Sequence, residues 1–297
     1  MGIWMPTEHL NERFVEIDNW TTLEAVEAMF EGQLSAVAAV KSITALIALA
    51  SESAAERLGR GGRLIYTGAG TSGRIATQDG VELIPTYGWP KNRIEFVIAG
   101  GLEALAASAE AAEDDVKASV EALLTLNANS DDVVIGVTAS GKTPFTVSAL
   151  EAANDMGCLT IGIANNEKTP LLQVAKYGLC AKTGSELIAG STRMKAGTAQ
   201  KVILNLFSTA TMIRCGKVYK GLMVNMLISN TKLKNRAAGI IQHLANIDLE
   251  TAFQAIESSQ GDLKAAILIG LGYTPQEALS RLRSSDGNLR IAIENNA

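Results

Sequence analysis

Tyr66-Thr67-Gly68-Ala69-Gly70-Thr71-Ser72-Gly73-Arg74 follows the apolar pair Leu64-Ile65 and matches the G-x-G-x-x-G spacing residue for residue. A glycine-rich turn that leaves a short apolar run and enters a helix presents backbone amides to an anion at a helix start. A dinucleotide-binding turn also needs an acid at the end of the next strand to hold ribose hydroxyls. Here the next β-rich run ends in Ala99-Gly100-Gly101, and its one acid, Glu95, stands near its start. Thr71 and Ser72 add hydroxyls that suit a phosphate monoester. The stretch therefore reads as a loop for a sugar phosphate.

Outward from this loop the pattern alternates. β-rich runs at Arg63 to Thr67, Ile94 to Ala99, Asp132 to Thr138 and Leu159 to Ala164, with a weaker fifth at Tyr177 to Lys182, alternate with Ala-rich stretches such as Leu102 to Leu126 and Phe145 to Met156 that predict helices. Runs such as Val133-Val134-Ile135-Gly136-Val137 are apolar throughout, the mark of a strand covered on both faces. The alternation predicts an α/β fold with a doubly wound parallel sheet. Ahead of it, Thr22 to Leu58 carries Val26, Met29, Phe30, Leu34, Val37 and Val40 at helical spacing and predicts two helices. With Trp4 and Trp20 they offer more apolar surface than one sheet face uses.

Ligands of such sheets sit at the carboxyl ends of the strands. Three loops there share a composition: Gly68 to Gly73, Thr138 to Thr143, and Gly190 to Thr198. Glycine and hydroxyl residues also cap helices and form turns, so one such loop says little. Three on one sheet edge predict a phosphate site. The predicted contacts are Gly70, Thr71, Ser72, Ser140, Gly141, Thr143, Ser191, Thr192 and Lys195, where glycine permits close approach and hydroxyls donate. Lys142 and Arg193 are further basic candidates, and Lys201 reads as a helix-surface charge.

Composition narrows the class. The 297 residues are 47% hydrophobic and 19% charged, enough for a sizeable core. A net charge of -5 argues against a nucleic-acid surface, so an anionic ligand is held locally. Cys158, Cys180 and Cys215 form neither a disulfide framework nor a zinc knuckle, and two histidines, His9 and His243, exclude a histidine-rich metal site. No metal or other cofactor is expected, and a reducing cytoplasm fits. Neither a basic-then-apolar leader nor an uncharged apolar run of 18 residues occurs, so no membrane partner is expected.

The strings GAGTSGR (68–74), ASGKTP (139–144) and GSTRMKAGTAQK (190–201), with the later GKVYKGLMVNM (216–226) and GDLKAAI (261–267), resemble the flavodoxin-like sugar isomerase (SIS) fold and, within it, the N-acetylmuramic acid 6-phosphate etherase family. The similarity runs from about Thr7 to the C-terminus. It implies N-terminal helices over 1–60, a sugar-phosphate domain over 61–234, a small helical domain over 235–297, and a metal-free homodimer. The implied reaction converts an amino-sugar 6-phosphate and water to N-acetylglucosamine 6-phosphate and D-lactate.

Eliminating lactate from carbon 3 takes a base for the carbon 2 proton and an acid for the ether oxygen. Glu82, between Val81 and Leu83-Ile84, is expected in an apolar setting of the kind that favours a protonated carboxyl. Resemblance makes it the acid for departing lactate. Glu113 shares a helix face with Glu110 and by spacing alone is a solvated charge; resemblance makes it the second catalytic glutamate. Gly80, Val81, Leu83 and Ile84 replace the family's usual Ala, Ser, Cys and Pro around Glu82, and Ala189 replaces a common Thr. A pocket rebuilt beside the acid bears on the carbon 3 substituent. A sugar-phosphate regulator resembling the glucokinase regulatory proteins, or an aldose-ketose isomerase, fits the same fold.

Overall fold

The computed structural model describes residues 5–107 and 110–294, which form two compact units: Met1–Gly80 with Asn92–Ala210, and Val81–Lys91 with Thr211–Ala297. Trp4 lies outside the described residues.

The first unit opens with α1 (Thr22–Val40) and α2 (Thr44–Gly59). Thr21 starts α1 with a capping box: its hydroxyl accepts from the Glu24 amide, and the Glu24 carboxylate accepts from the Thr21 amide. The alternating part follows as β1 (Leu64–Gly68), α3 (Gly70–Tyr87), β2 (Ile94–Ile98), α4 (Val116–Thr125), β3 (Val133–Val137), α5 (Pro144–Asp155), β4 (Leu159–Ala164), α6 (Pro170–Val174), β5 (Tyr177–Cys180) and α7 (Lys195–Arg214). All five strands pair parallel in the order β2-β1-β3-β4-β5, the doubly wound arrangement expected, with its switch point beside β1. β1, β3 and β4 are buried at every position, and the edge strands β2 and β5 are partly exposed.

Leu102 to Leu126 is not the single helix its alanines predict. Gly100 and Gly101 adopt φ of +78° and +74°, 3-10 turns follow at Leu102–Leu105 and Glu110–Asp114, and α4 starts afresh because the Asp115 carboxylate accepts from the Ala118 amide at 3.0 Å. A local cap overrides propensity here. At the amino end of the strands, Arg63 grips Asp132 through Nε at 3.1 Å and Nη2 at 2.6 Å. Burial alone would raise the Asp132 pKa, yet the bonds from Arg63 hold it below the ordinary carboxylate value.

Thr22–Gly59 is long and apolar enough by composition to cross a membrane, although Lys41 stands midway along it. Only 28% of its most apolar window is buried within the chain. On α1, Leu23, Val26, Phe30, Leu34 and Val37 are all exposed. Their spacing of three, four, four and three residues makes a continuous stripe on one helix face.

The second unit pairs β6 (Val218–Tyr219) with β7 (Leu222–Met223) and continues through α8 (Thr231–Ala245), α9 (Leu249–Ser258), α10 (Leu263–Gly270), α11 (Pro275–Ser284) and α12 (Leu289–Glu294). Asn230, Asp248, Asp262 and Thr274 cap the first four of these helices, each accepting from an amide three residues on. Ile241, Ile256, Ile267, Leu268 and Leu289 form the core. Lys264 is buried in this unit, its Nζ donating to the Gly287 carbonyl at 2.5 Å. Burial, with repulsion from Lys217, pushes its pKa down to about 8.

Candidate functional site

β1 and β3 are neighbours with Gly68 opposite Val137, so the loops that follow them leave the sheet side by side. α3 begins at Gly70, where φ is +52°. A Cβ on Gly73 would stand 3.0 Å from the Gly68 carbonyl, so only glycine lets the first turn of α3 lie this close to the strand end. The first amides of a helix have no partner within it, so this turn offers donors suited to an anion, flanked by half-buried Thr71 and buried Ser72.

The second loop is braced by its own hydroxyls. Thr138 Oγ1 bonds Thr143 Oγ1 at 2.7 Å and Ser140 Oγ at 3.2 Å, and Ser140 Oγ accepts from the Lys142 amide at 3.1 Å. Gly141 has φ +67°, and a Cβ there would meet Thr169 Oγ1 at 2.2 Å. The third loop is drawn to both others. Asn166 Nδ2 donates to the Ala139 carbonyl at 2.9 Å and to Thr7 Oγ1 at 3.0 Å, while the Gly190 amide donates to the Thr7 carbonyl at 3.3 Å. A Cβ at Gly197 would stand 3.7 Å from Thr71 Cγ2. The three loops predicted from composition thus gather at one edge, with the segment around Thr7 stitched between the second and third.

The third loop differs from the first in one respect. Fully buried Glu186 accepts from the amides of Lys195 and Ala196 at 2.9 Å each, so a carboxylate of the chain already occupies the start of α7. Burial raises the Glu186 pKa and these amides pull it back. Lys195 Nζ donates to the Ser185 carbonyl at 2.9 Å; burial lowers its pKa and the Glu186 charge opposes that. What this loop leaves for a ligand is the hydroxyls of half-buried Ser191 and Thr192, and Lys195. Lys142 and Arg193 are exposed. Lys201 is half-buried rather than on the surface; its charge stabilises the Asp79 carboxylate, whose pKa burial raises against hydrogen bonds from Tyr66 and Ser208.

Glu82 belongs to the second unit, on the last turns of α3, and Glu113 to the first, in the turn Glu110–Asp114. The apolar setting expected for Glu82 is absent within the chain: Glu82 and Val81 are both exposed while Leu83 is buried, because a helix turns successive residues to different sides. Glu113 is exposed, and the side chain of Glu110 lies outside the description. Beside that turn, a cavity of about 400 Å³ is lined by Phe96, Ile98, Gly100, Gly101, Ala112 and Phe145. Asp115, the one ionisable side chain among the described residues that line it, already caps α4.

Several polar residues escaped sequence reasoning. Asn165, Asn166 and Gln200 are buried, Gln200 Nε2 donating to Asn165 Oδ1 at 3.0 Å. The signal for the first two was an Asn-Asn pair placed directly after the apolar run Leu159 to Ala164. Glu186, in the segment ahead of the third loop, carried no signal. Arg74, the last residue of the glycine-rich motif, donates from Nε to the Leu105 carbonyl at 2.9 Å and from Nη2 to those of Ala104 and Ala107 at 3.0 and 3.1 Å. Among the described residues, no three His, Cys, Asp or Glu side chains converge on a metal-sized site.

Comparison with known proteins covers nearly the whole chain. A family model described as the glucokinase regulatory protein N-terminal SIS domain matches residues 43–154, and one described as SIS domain matches 115–210. The N-acetylmuramic acid 6-phosphate etherase of Deinococcus radiodurans is 41% identical over 97% of this chain and 94% of its own length. That of Geobacillus thermodenitrificans is 42% identical over 98% of this chain and 99% of its own. A phosphoheptose isomerase structure from Francisella tularensis aligns with a TM-score of 0.47 at 20% identity, over 64% of this chain and all of that one.

Proposed function

The chain belongs to the N-acetylmuramic acid 6-phosphate etherase family, and on that premise we propose that it cleaves the lactyl ether of N-acetylmuramic acid 6-phosphate to give N-acetylglucosamine 6-phosphate and D-lactate. It is an enzyme, a carbon-oxygen lyase. One observation carries the reading: the chain is 41% identical to an etherase over 97% of its length.

In the proposed reaction the 6-phosphate rests at the start of α3 on the amides of Gly70, Thr71 and Ser72, with Ser140, Gly141 and Thr143 beside it. The carboxylate of Glu186 already fills the start of α7, so Ser191, Thr192 and Lys195 serve the rest of the substrate. In the open-chain sugar the aldehyde acidifies the carbon 2 proton. Glu113 takes that proton, Glu82 protonates the ether oxygen on carbon 3, and lactate leaves. Water then adds to carbon 3 of the resulting alkene. Removing the carbon 2 proton, protonating the ether oxygen, and returning a proton to carbon 2 as water adds to carbon 3 are all proton transfers, so two carboxyl groups supply the chemistry.

Incubating the purified protein with N-acetylmuramic acid 6-phosphate should release D-lactate, measured enzymatically. Tight sugar-phosphate binding without lactate would favour a regulator, the second reading, which the match to the glucokinase regulatory model motivates.

The exposed stripe Leu23, Val26, Phe30, Leu34 and Val37 fits a second copy of this chain better than lipid. Glu24, Glu27 and Glu31 interleave with its first half, and charges are costly inside a bilayer. The working form is therefore a homodimer. A cytoplasmic location is supported by three cysteines, Cys158, Cys180 and Cys215, that are not joined by a disulfide. Residues 61–234 are assigned the sugar-phosphate site, with 1–60 and 235–297 as helical additions.

A further inference from the structure

Arg74 closes the glycine-rich motif, yet no step of the reaction uses it. Its guanidinium is spent on backbone: the carbonyls of Ala104, Leu105 and Ala107 accept from it at 3.0, 2.9 and 3.1 Å. These carbonyls lie in and just after the short turn Leu102–Leu105, and among the described residues no helix continues that turn. A guanidinium is a planar fork of donors, and here it gathers all three from one side. Arg74 itself stands on the first turns of α3, the helix whose start is assigned to the phosphate. The turn it holds leads into Glu110–Asp114, which carries Glu113.

We propose that Arg74 is a positioning residue that fixes the 102–107 turn to the phosphate-binding helix and so sets the reach of Glu113. The proposal rests on the reading of Glu113 as the base. Substrate phosphate and base are then registered to one helix, so the carbon 2 proton is presented at a fixed distance from the anchored end of the sugar.

The test uses the full-length protein with Arg74→Lys, which keeps the charge and loses the fork, and Arg74→Gln, which keeps a planar donor and loses the charge. Hydrogen exchange reads the turn through the amides of Ala104, Ala106 and Ala107, which bond within it. Both variants should speed exchange there, lower kcat for lactate release by about 100-fold, as misplacement of a reacting group does, and slow deuterium incorporation at carbon 2 in step. KM and the calorimetric affinity for N-acetylglucosamine 6-phosphate should stay at the parent values. Parent kcat, or unchanged exchange in the turn, overturns the proposal. So does equal loss of kcat and affinity, which would make Arg74 a ligand. A Glu113→Gln variant as active as the parent would sink the reading of Glu113 instead, and exchange in the Arg74 variants would still decide whether Arg74 holds the turn.

Discussion

Glu82 and Glu113 are assigned different partial reactions, so their substitutions should fail differently. Glu113→Gln should lose both lactate release and exchange of the carbon 2 hydrogen with deuterated water. Glu82→Gln should lose lactate release and keep that exchange, because proton removal precedes departure in a stepwise elimination. Each loss should be roughly 100- to 10,000-fold; lactate release at the parent rate in Glu113→Gln would remove that residue from the mechanism. Ser72→Ala should weaken binding of a sugar 6-phosphate by about 1 to 3 kcal/mol, the range for hydrogen bonds to charged groups. Ser140→Ala should cost at least as much, since its hydroxyl also holds the Lys142 amide. Unchanged calorimetric affinity in both would refute the phosphate assignment. At this scale the position of the hydroxyls of Thr71, Ser72 and Ser140, just past β1 and β3, was legible from the apolar runs ahead of them. The sequence was silent where a side chain serves the backbone of a distant segment, as Glu186 and Arg74 do, because such partners are set only by the folded path.

The start of α7 is held by a buried carboxylate, and that bears on its stability. Glu186→Gln leaves only one acceptor for two amides and removes the charge that favours a helix start. We expect a lower melting temperature and, because Lys195 loses its counter-charge, weaker substrate binding; a variant matching the parent in both would show the cap to be dispensable. α10 supplies a pH signature. Lys264 titrates at about 8 in the fold against 10.5 as a free side chain, with Lys217 repelling its charge and Asp262 attracting it. Between those values the unfolded chain binds more protons than the folded one, so stability rises with pH across the window. The buried charge costs about 3 kcal/mol at neutral pH, and that cost is relieved above pH 8. Melting curves should show the parent gaining on Lys264→Met from about pH 8 to 10; a constant difference would contradict the shift. Element by element, the strands were legible because burial on both faces writes itself as an unbroken apolar run. The 102–126 stretch was misread because alanine content reports propensity, while Gly100, Gly101 and Asp115 decide where a helix can begin.

For the whole molecule, the doubly wound sheet followed from the alternation of β-rich and Ala-rich runs, and the gathering of three loops followed from placing each after a parallel strand. The assignment of Val81–Lys91 to the second unit was not legible, since it interrupts one helix and depends on packing rather than pattern. The proposed homodimer gives a direct test of the α1 stripe. Light scattering at micromolar concentration should return twice the chain mass, and Phe30→Asp with Leu34→Asp should return one. A monomeric parent that sediments with lipid vesicles would assign the stripe to membrane instead. One small feature sets a timetable for synthesis. The hydroxyl of Thr7 receives its bond from Asn166, 159 residues later in the chain. At about 5–20 residues per second, the ribosome delivers that partner roughly 8–30 s after residue 7 emerges. Throughout that interval the Thr7 hydroxyl lacks this donor, so on a growing chain the carboxyl edge of the sheet is completed by joining residues made far apart in time.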